Sequence, residues 1–267
     1  MIQYKVIEIF GSQWWIGNTP TVLGIILIII IGKRISPESK DQLAIILGIM
    51  LIAREGLIHP YKVYLGLWTV RDSLPLHLCG MSAVLSGIVL IWRHQLVYEF
   101  VYFLGIPGAF HSLLTPEFTH GTTGLLFPDY FLAHGGIILS ALYLTLVLRM
   151  RPERGAWWKL AIRIQPLVLL VGFINWILDA NYMYLCHKPI VSNPFLIGDW
   201  PWYILGLELA VLLHVLLLYL PFGVYYRKRE KVGLSTFYRT PKEVRNFAWI
   251  IYPQDPVEIK SGGFGTI

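Results

Sequence analysis

Charge is scarce in this sequence. Only 14% of its 267 residues are Asp, Glu, Lys or Arg, while 55% are hydrophobic. Soluble domains carry about 25% charged residues. Cysteine is scarcer still: Cys79 and Cys186 are the whole supply, which excludes a disulfide scaffold. There is no HExxH, no GxSxG, no glycine-rich phosphate loop and no CxxC. No internal repeat suggests the inverted halves of a secondary transporter. The amino terminus lacks a basic start and no small-residue cleavage motif follows the first apolar run, so no signal peptide is expected. A large soluble domain and a disordered chain are both excluded. No cofactor and no metal are expected.

Long apolar runs are present instead. They fall at about Ile16–Ile35, Leu43–Tyr64, Leu74–Trp92, Leu96–Thr115, Tyr130–Met150, Ala161–Tyr182 and Trp202–Tyr225. Each is close to the roughly 20 residues that a membrane-crossing helix needs. The expected fold is all-α: a polytopic bundle of seven transmembrane helices over residues 1–228, with a basic, loosely ordered tail over 229–267.

The basic residues give the orientation. One side holds Lys33, Arg34 and Lys40, then Arg93, then five residues from Arg149 to Arg163, then eight from Arg227 to Lys260. The other side holds Lys5, Lys62, Arg71 and Lys188, and Arg54 lies inside a span. The positive-inside rule then puts the amino terminus outside and the tail in the cytoplasm, in the cell membrane. The net charge of +6 is therefore juxtamembrane. It suits anionic lipid headgroups, and no nucleic-acid partner is expected. Trp14, Trp15, Trp68, Trp92, Trp157, Trp158, Trp200 and Trp202 sit near span ends, as interfacial anchors do.

Ionisable groups inside hydrocarbon are costly and mark function by default. By depth, Arg54, Glu55, His59, His77, Cys79, His111, His134, Asn175, Asp179, Asn181, Tyr182, Trp202 and Glu208 all fall in the outer half. This predicts a polar cavity facing the outer leaflet and membrane phospholipids as partners. Glu99 and His214 lie deeper. Glu55 and His59 share a helical face, as do Asn175 and Asp179. Arg54 needs a counter-ion, for which Asp179 and Glu208 are the candidates. Pro75 suits the first turn of the third span, and Pro107 is expected to kink the fourth. The connection from Pro116 to Pro128 is expected to cover the cavity mouth.

A cysteine attacks as a thiolate, and a histidine at matching depth supplies that state. Cys79 as nucleophile with His134 as base would allow acyl transfer to or from lipid, with His77 and His111 as reserve bases. Three alternatives stand beside this: a Cys79–Cys186 disulfide, a metal held by His77, His111, His120 or His134, and no chemistry at all. At the level of function, the rivals are a transporter using Arg54, Glu55, Asp179 and Glu208 as an ion path, and a non-catalytic lipid-binding protein.

Several segments carry a resemblance: Leu74-Pro75-Leu76-His77-Leu78-Cys79, the region of His111, Tyr130-Phe131-Leu132-Ala133-His134, Asn181-Tyr182-Met183-Tyr184-Leu185 with Lys188-Pro189, and Gly198-Asp199-Trp200-Pro201-Trp202-Tyr203. Together, over about Trp68 to Pro221, they resemble the YwaF family of bacterial integral membrane proteins. More distantly they are similar to the eukaryotic transmembrane protein 164 family, whose activity is cysteine-dependent lipid acyl transfer. The resemblance implies Cys79 as the acyl-carrying cysteine and His134 as its histidine. In the eukaryotic family, proline directly precedes the cysteine and histidine follows it. Here Leu78 and Gly80 take those places, with Pro75 four residues earlier.

Overall fold

The structure, a computed structural model, describes residues 5–189 and 195–236, the last eight as backbone only. Nine α-helices are found among them: α1 (Ser12–Arg34), α2 (Pro37–Tyr64), α3 (Leu78–Ile91), α4 (Gln95–Phe100), α5 (Ile106–Leu114), α6 (Leu126–Leu146), α7 (Ala156–Arg163), α8 (Gln165–Leu178) and α9 (Trp202–Thr236). Two residue pairs form a short antiparallel ladder, β1 (Lys5–Val6) with β2 (Glu117–Phe118). Residues 1–220 make one compact unit. Of the second, the structure describes only the continuation of α9 to Thr236. The rest of the basic tail lies outside the described residues.

Among the described residues, six segments are long and apolar enough to cross a bilayer: Ser12–Arg34, Pro37–Tyr64, Gln95–Leu114, Leu126–Leu146, Ala156–Leu178 and Trp202–Lys228. The fold is thus an all-α polytopic bundle. The run expected to begin at Leu74 becomes a helix only at Leu78, and α3 has 14 residues. At 1.5 Å per residue it rises about 21 Å, short of the roughly 30 Å hydrocarbon core. Pro75 lies ahead of the helix rather than in its first turn. The chain there is held by Tyr182, whose hydroxyl donates to the Val70 carbonyl (2.8 Å) and accepts from the Leu74 N–H (3.1 Å).

The fourth run also departs from a plain kinked helix. Val101–Gly105 form a π-turn, in which the Ile106 N–H donates to the Val101 carbonyl. Pro107 has no N–H to give, and the widened turn just before it absorbs that loss. The turn also resets the face that α5 shows to its neighbours.

The core sits around α3, the π-turn and α6. Eleven residues of α6 are buried, while most of the α9 span is not, so α6 is central and α9 peripheral. Close approach needs glycine where backbones meet. A Cβ on Gly48 of α2 would stand 2.8 Å from the Gly87 carbonyl of α3, a contact that only glycine permits. Ile7, Leu113, Phe118 and Phe131 form one apolar cluster. The ladder and the Ile7 N–H bond to the Pro116 carbonyl (2.9 Å) tie the Pro116 connection to the amino-terminal segment.

Candidate functional site

Cys79 lies one residue into α3, and half-buried. α5 reaches it through Gly108, where a Cβ would come within 3.3 Å of the sulfur. One turn further on, Ser112 Oγ is 3.6 Å from Cys79 Sγ. Ser112 donates its own proton to the Gly108 carbonyl at 2.9 Å. A hydroxyl carries one proton, so the thiol is the donor to Ser112. The Ser112 carbonyl accepts from the Tyr130 hydroxyl (2.9 Å), and that hydroxyl accepts from the Glu117 N–H (3.3 Å). One tyrosine thus pins α5, α6 and β2 around the sulfur.

His134 follows on α6, one turn beyond Tyr130. Its Nδ1 is 2.7 Å from the Tyr130 carbonyl, and the two rings are 4.3 Å apart. A carbonyl only accepts, so Nδ1 carries the proton and the neutral ring keeps a lone pair on Nε2. That is the tautomer a general base needs. Among the described residues no hydrogen bond joins His134 to Cys79; Tyr130 stands between them in the bonding pattern. Sequence reasoning missed Ser112 and Tyr130. Tyr130 was legible only as the residue four before His134. Both cysteines are free thiols.

Arg54 pairs with neither candidate counter-ion. Its Nε donates to Asp129 Oδ1 at 2.6 Å, a second nitrogen donates to Oδ2, and NH1 donates to Glu55 Oε2 at 2.6 Å. Asp129 lies in the first turn of α6, where a carboxylate also meets the positive end of the helix. Glu55 and His59 share a face as expected, with Oε1 and Nε2 3.5 Å apart. Trp68 Nε1 donates to His59 Nδ1 at 3.0 Å.

Asp179 and Glu208 stand apart from this network. α8 ends at Leu178, and Asp179 turns into the left-handed region with φ 51°. Its side chain is exposed and faces Arg71 at 3.2 Å. The turn separates it from Asn175, which is buried. Glu208 is exposed on α9, and Trp202 is exposed at the start of that helix.

Several expected cavity residues instead hold loops. Asn175 clamps the Tyr182 backbone in both directions, at 2.9 and 2.8 Å. Asn181 binds the Cys186 and His187 N–H groups and the His187 carbonyl. His77 Nδ1 accepts from the Met183 N–H (3.3 Å), with the ring edge-on to Tyr182 at 5.1 Å. The two asparagines fix the turn after α8, and the His77 bond joins that turn to the segment before α3.

His111 meets a histidine not assigned to the outer set. His111 Nε2 and His214 Nε2 are 3.1 Å apart, and His214 Nδ1 donates to the Ala210 carbonyl at 2.6 Å. His214 Nε2 is then the acceptor and His111 the donor. Glu99, 1% exposed, takes the Gln95 amide and the Glu153 N–H on one oxygen. That bonding is a structural tie at the opposite end. Among the described residues, no group of three or more His, Cys, Asp or Glu side chains is placed to hold a metal.

A family model described as the TMEM164 family matches residues 9–219. No curated protein and no solved structure matches the chain.

Proposed function

The chain belongs to the TMEM164 family, and on that footing we propose that this multi-pass membrane protein is a cysteine-dependent acyltransferase acting on membrane phospholipids. Cys79 is the nucleophile and His134 the general base. The protein spans the cell membrane seven times, with the short α3 as the third span, the amino terminus outside and the tail in the cytoplasm. The polar groups at the outer ends of the spans form the mouth of the site, and Arg54, Glu55 and Asp129 are its rigid frame.

The reaction balances as two acyl exchanges. His134 Nε2 takes the thiol proton, and the sulfur attacks an ester carbonyl of a phospholipid. The ester C–O bond breaks, the leaving alkoxide takes the proton from His134, and an acyl-thioester remains on Cys79. A lysophospholipid hydroxyl then attacks the thioester, its proton passing by way of His134 back to the sulfur. No water and no oxidant enter.

The observation that carries the reading is the convergence of Cys79, Ser112, Tyr130 and His134 from three helices, with His134 in the basic tautomer. The rival ion path finds less support, because Asp179 and Glu208 are exposed and Glu99 is a backbone clamp. The test uses purified protein, a phospholipid with a labelled acyl chain and an unlabelled lysophospholipid. Label should move to the lysophospholipid and appear transiently on Cys79. Cys79→Ala, folded as the wild type, should do neither. Transfer by that variant would overturn the covalent scheme.

A further inference from the structure

Two cavities, of about 390 and 240 Å³, open on either side of His59 along α2. Pro60, Val63, Trp68 and Leu74 wall the first. Ile52, Gly56 and Val84 wall the second, with Glu55 at its edge. The walls are apolar and open outward: Val63 is 60% exposed, and a Cβ on Gly56 would meet nothing within 4 Å. In a membrane-crossing helix this open side faces lipid.

His59 lines both cavities, with Glu55 beside it in the second, and its proton can be located. An indole N–H only donates, so Trp68 fixes His59 Nδ1 as the unprotonated acceptor. The neutral ring therefore carries its proton on Nε2. Glu55 Oε1, the nearest acceptor, is 3.5 Å away, and the other oxygen of that carboxylate is bound by Arg54 at 2.6 Å. A 3.5 Å separation lies beyond the usual 2.7–3.2 Å of such bonds. An N–H donor thus opens onto an apolar cleft with at most a weak partner, which costs free energy in hydrocarbon.

We propose that this cleft binds one membrane glycerolipid, its acyl chain lying against Ile52, Gly56 and Val84 and one of its oxygens accepting from His59 Nε2. Glycerolipids combine the two features required, an acceptor oxygen joined directly to a long apolar chain. They are also the molecules that surround an open cleft of this kind. Cys79 faces α5, on another side of α3, so the site rests on the lipid-handling reading but not on the chemistry at Cys79.

The test is photolabelling of the full-length protein in detergent micelles with a diester phosphatidylcholine carrying a diazirine on one acyl chain, followed by peptide mapping. Adducts in the stretches 52–63 and 74–84 should fall at least fivefold with excess unlabelled phosphatidylcholine. Those on the outward face of α1, at Leu23 and Leu27, should not. His59→Leu should remove most of the competed labelling, and Gly56→Phe should fill the cleft and do the same without touching Trp68. Cys79→Ala should leave it intact, even if it abolishes acyl transfer. A diether phosphatidylcholine that competes equally assigns the acceptor oxygen to phosphate, and one that competes poorly assigns it to the ester. Cleft labelling that resists competition as α1 does, or that survives Gly56→Phe, would overturn the proposal and leave bulk lipid or water as the partner of His59.

Discussion

Ser112 Oγ stands 3.6 Å from Cys79 Sγ and 2.9 Å from the Gly108 carbonyl, and its single proton goes to that carbonyl. In the resting site the thiol is therefore the donor. Once the sulfur loses its proton, a rotation of the Ser112 hydroxyl turns acceptor into donor. A hydrogen bond to a charged group contributes about 1.5–3 kcal/mol, against roughly 0.5–1.5 for a neutral one. The difference, about 1 kcal/mol, favours the thiolate when Ser112 is present.

Ser112→Ala is accordingly expected to slow alkylation of Cys79 by about fivefold, as 1.4 kcal/mol is tenfold. Ser112→Thr keeps the hydroxyl and should restore most of the rate. The rates are read with a small neutral alkylating reagent across pH, and Cys79→Ala supplies the background. Equal or faster labelling in Ser112→Ala would show that the hydroxyl only holds the resting thiol.

His134→Gln removes the Nε2 lone pair but keeps a side chain of similar length beside Tyr130. General-base catalysis is typically worth about 10²–10⁴-fold. Acyl transfer should fall by at least two orders of magnitude, with little change in melting temperature. Transfer within tenfold of the wild type would remove His134 from the mechanism.

Six long apolar segments were legible because apolar run length is a direct readout of bilayer thickness. Spacing on one helix was legible too: Glu55 and His59, four residues apart, do face each other. Azimuth was not. Depth placed Asp179 and Glu208 level with Arg54 but carried no information about which way α8 and α9 face, and both carboxylates prove exposed. The true partner, Asp129, lies at the head of α6, just before the span as read from hydropathy. Ser112 was hidden for a related reason. The π-turn at Val101–Gly105 rotates everything after it, so no count of helical spacing from Glu99 would have brought Ser112 to Cys79. The early end of α8 is a left-handed aspartate, a signal much weaker in sequence than glycine.

Arg54 joins α2 to α6 through a half-buried bidentate pair. Removing one member of a buried pair leaves the other charge uncompensated, at about 3–5 kcal/mol. Both side chains keep some exposure, 19% and 17%, so solvent screening brings the cost to the lower end of that range or just below it. Arg54→Gln should therefore lower stability by roughly 2–3 kcal/mol. The double variant with Asp129→Asn should recover part of that loss, since the orphaned carboxylate is gone. Thermal melts of the four proteins in detergent give the coupling, and strictly additive losses would sink the claim that the pair acts as a unit.

His120 lies in the connection outside the spans, with its side chain 8% exposed and Nε2 3.6 Å from Asp72 Oδ2. Burial pulls its imidazole below the ordinary value of 6.5, with Lys62 adding to the effect and Asp72 opposing it. The folded protein thus prefers neutral His120, while the unfolded chain takes up a proton near 6.5. The stability tied to this residue is complete above that value and is lost as pH falls below it toward the lower, folded value. Glu117 on the same connection acts in the opposite sense, its carboxyl pushed up by burial. Acidification through its range favours the fold, and this contribution is common to the wild type and any His120 variant. The difference between two proteins therefore isolates the histidine. Melts of wild type and His120→Gln from pH 7.5 to 5 should converge or cross as the pH drops, with the wild type losing more. Parallel curves would mean that His120 takes up its proton equally in the folded and unfolded chain, and a wild type that gains on acidification would mean that its charged ring pairs with Asp72; either result overturns the prediction.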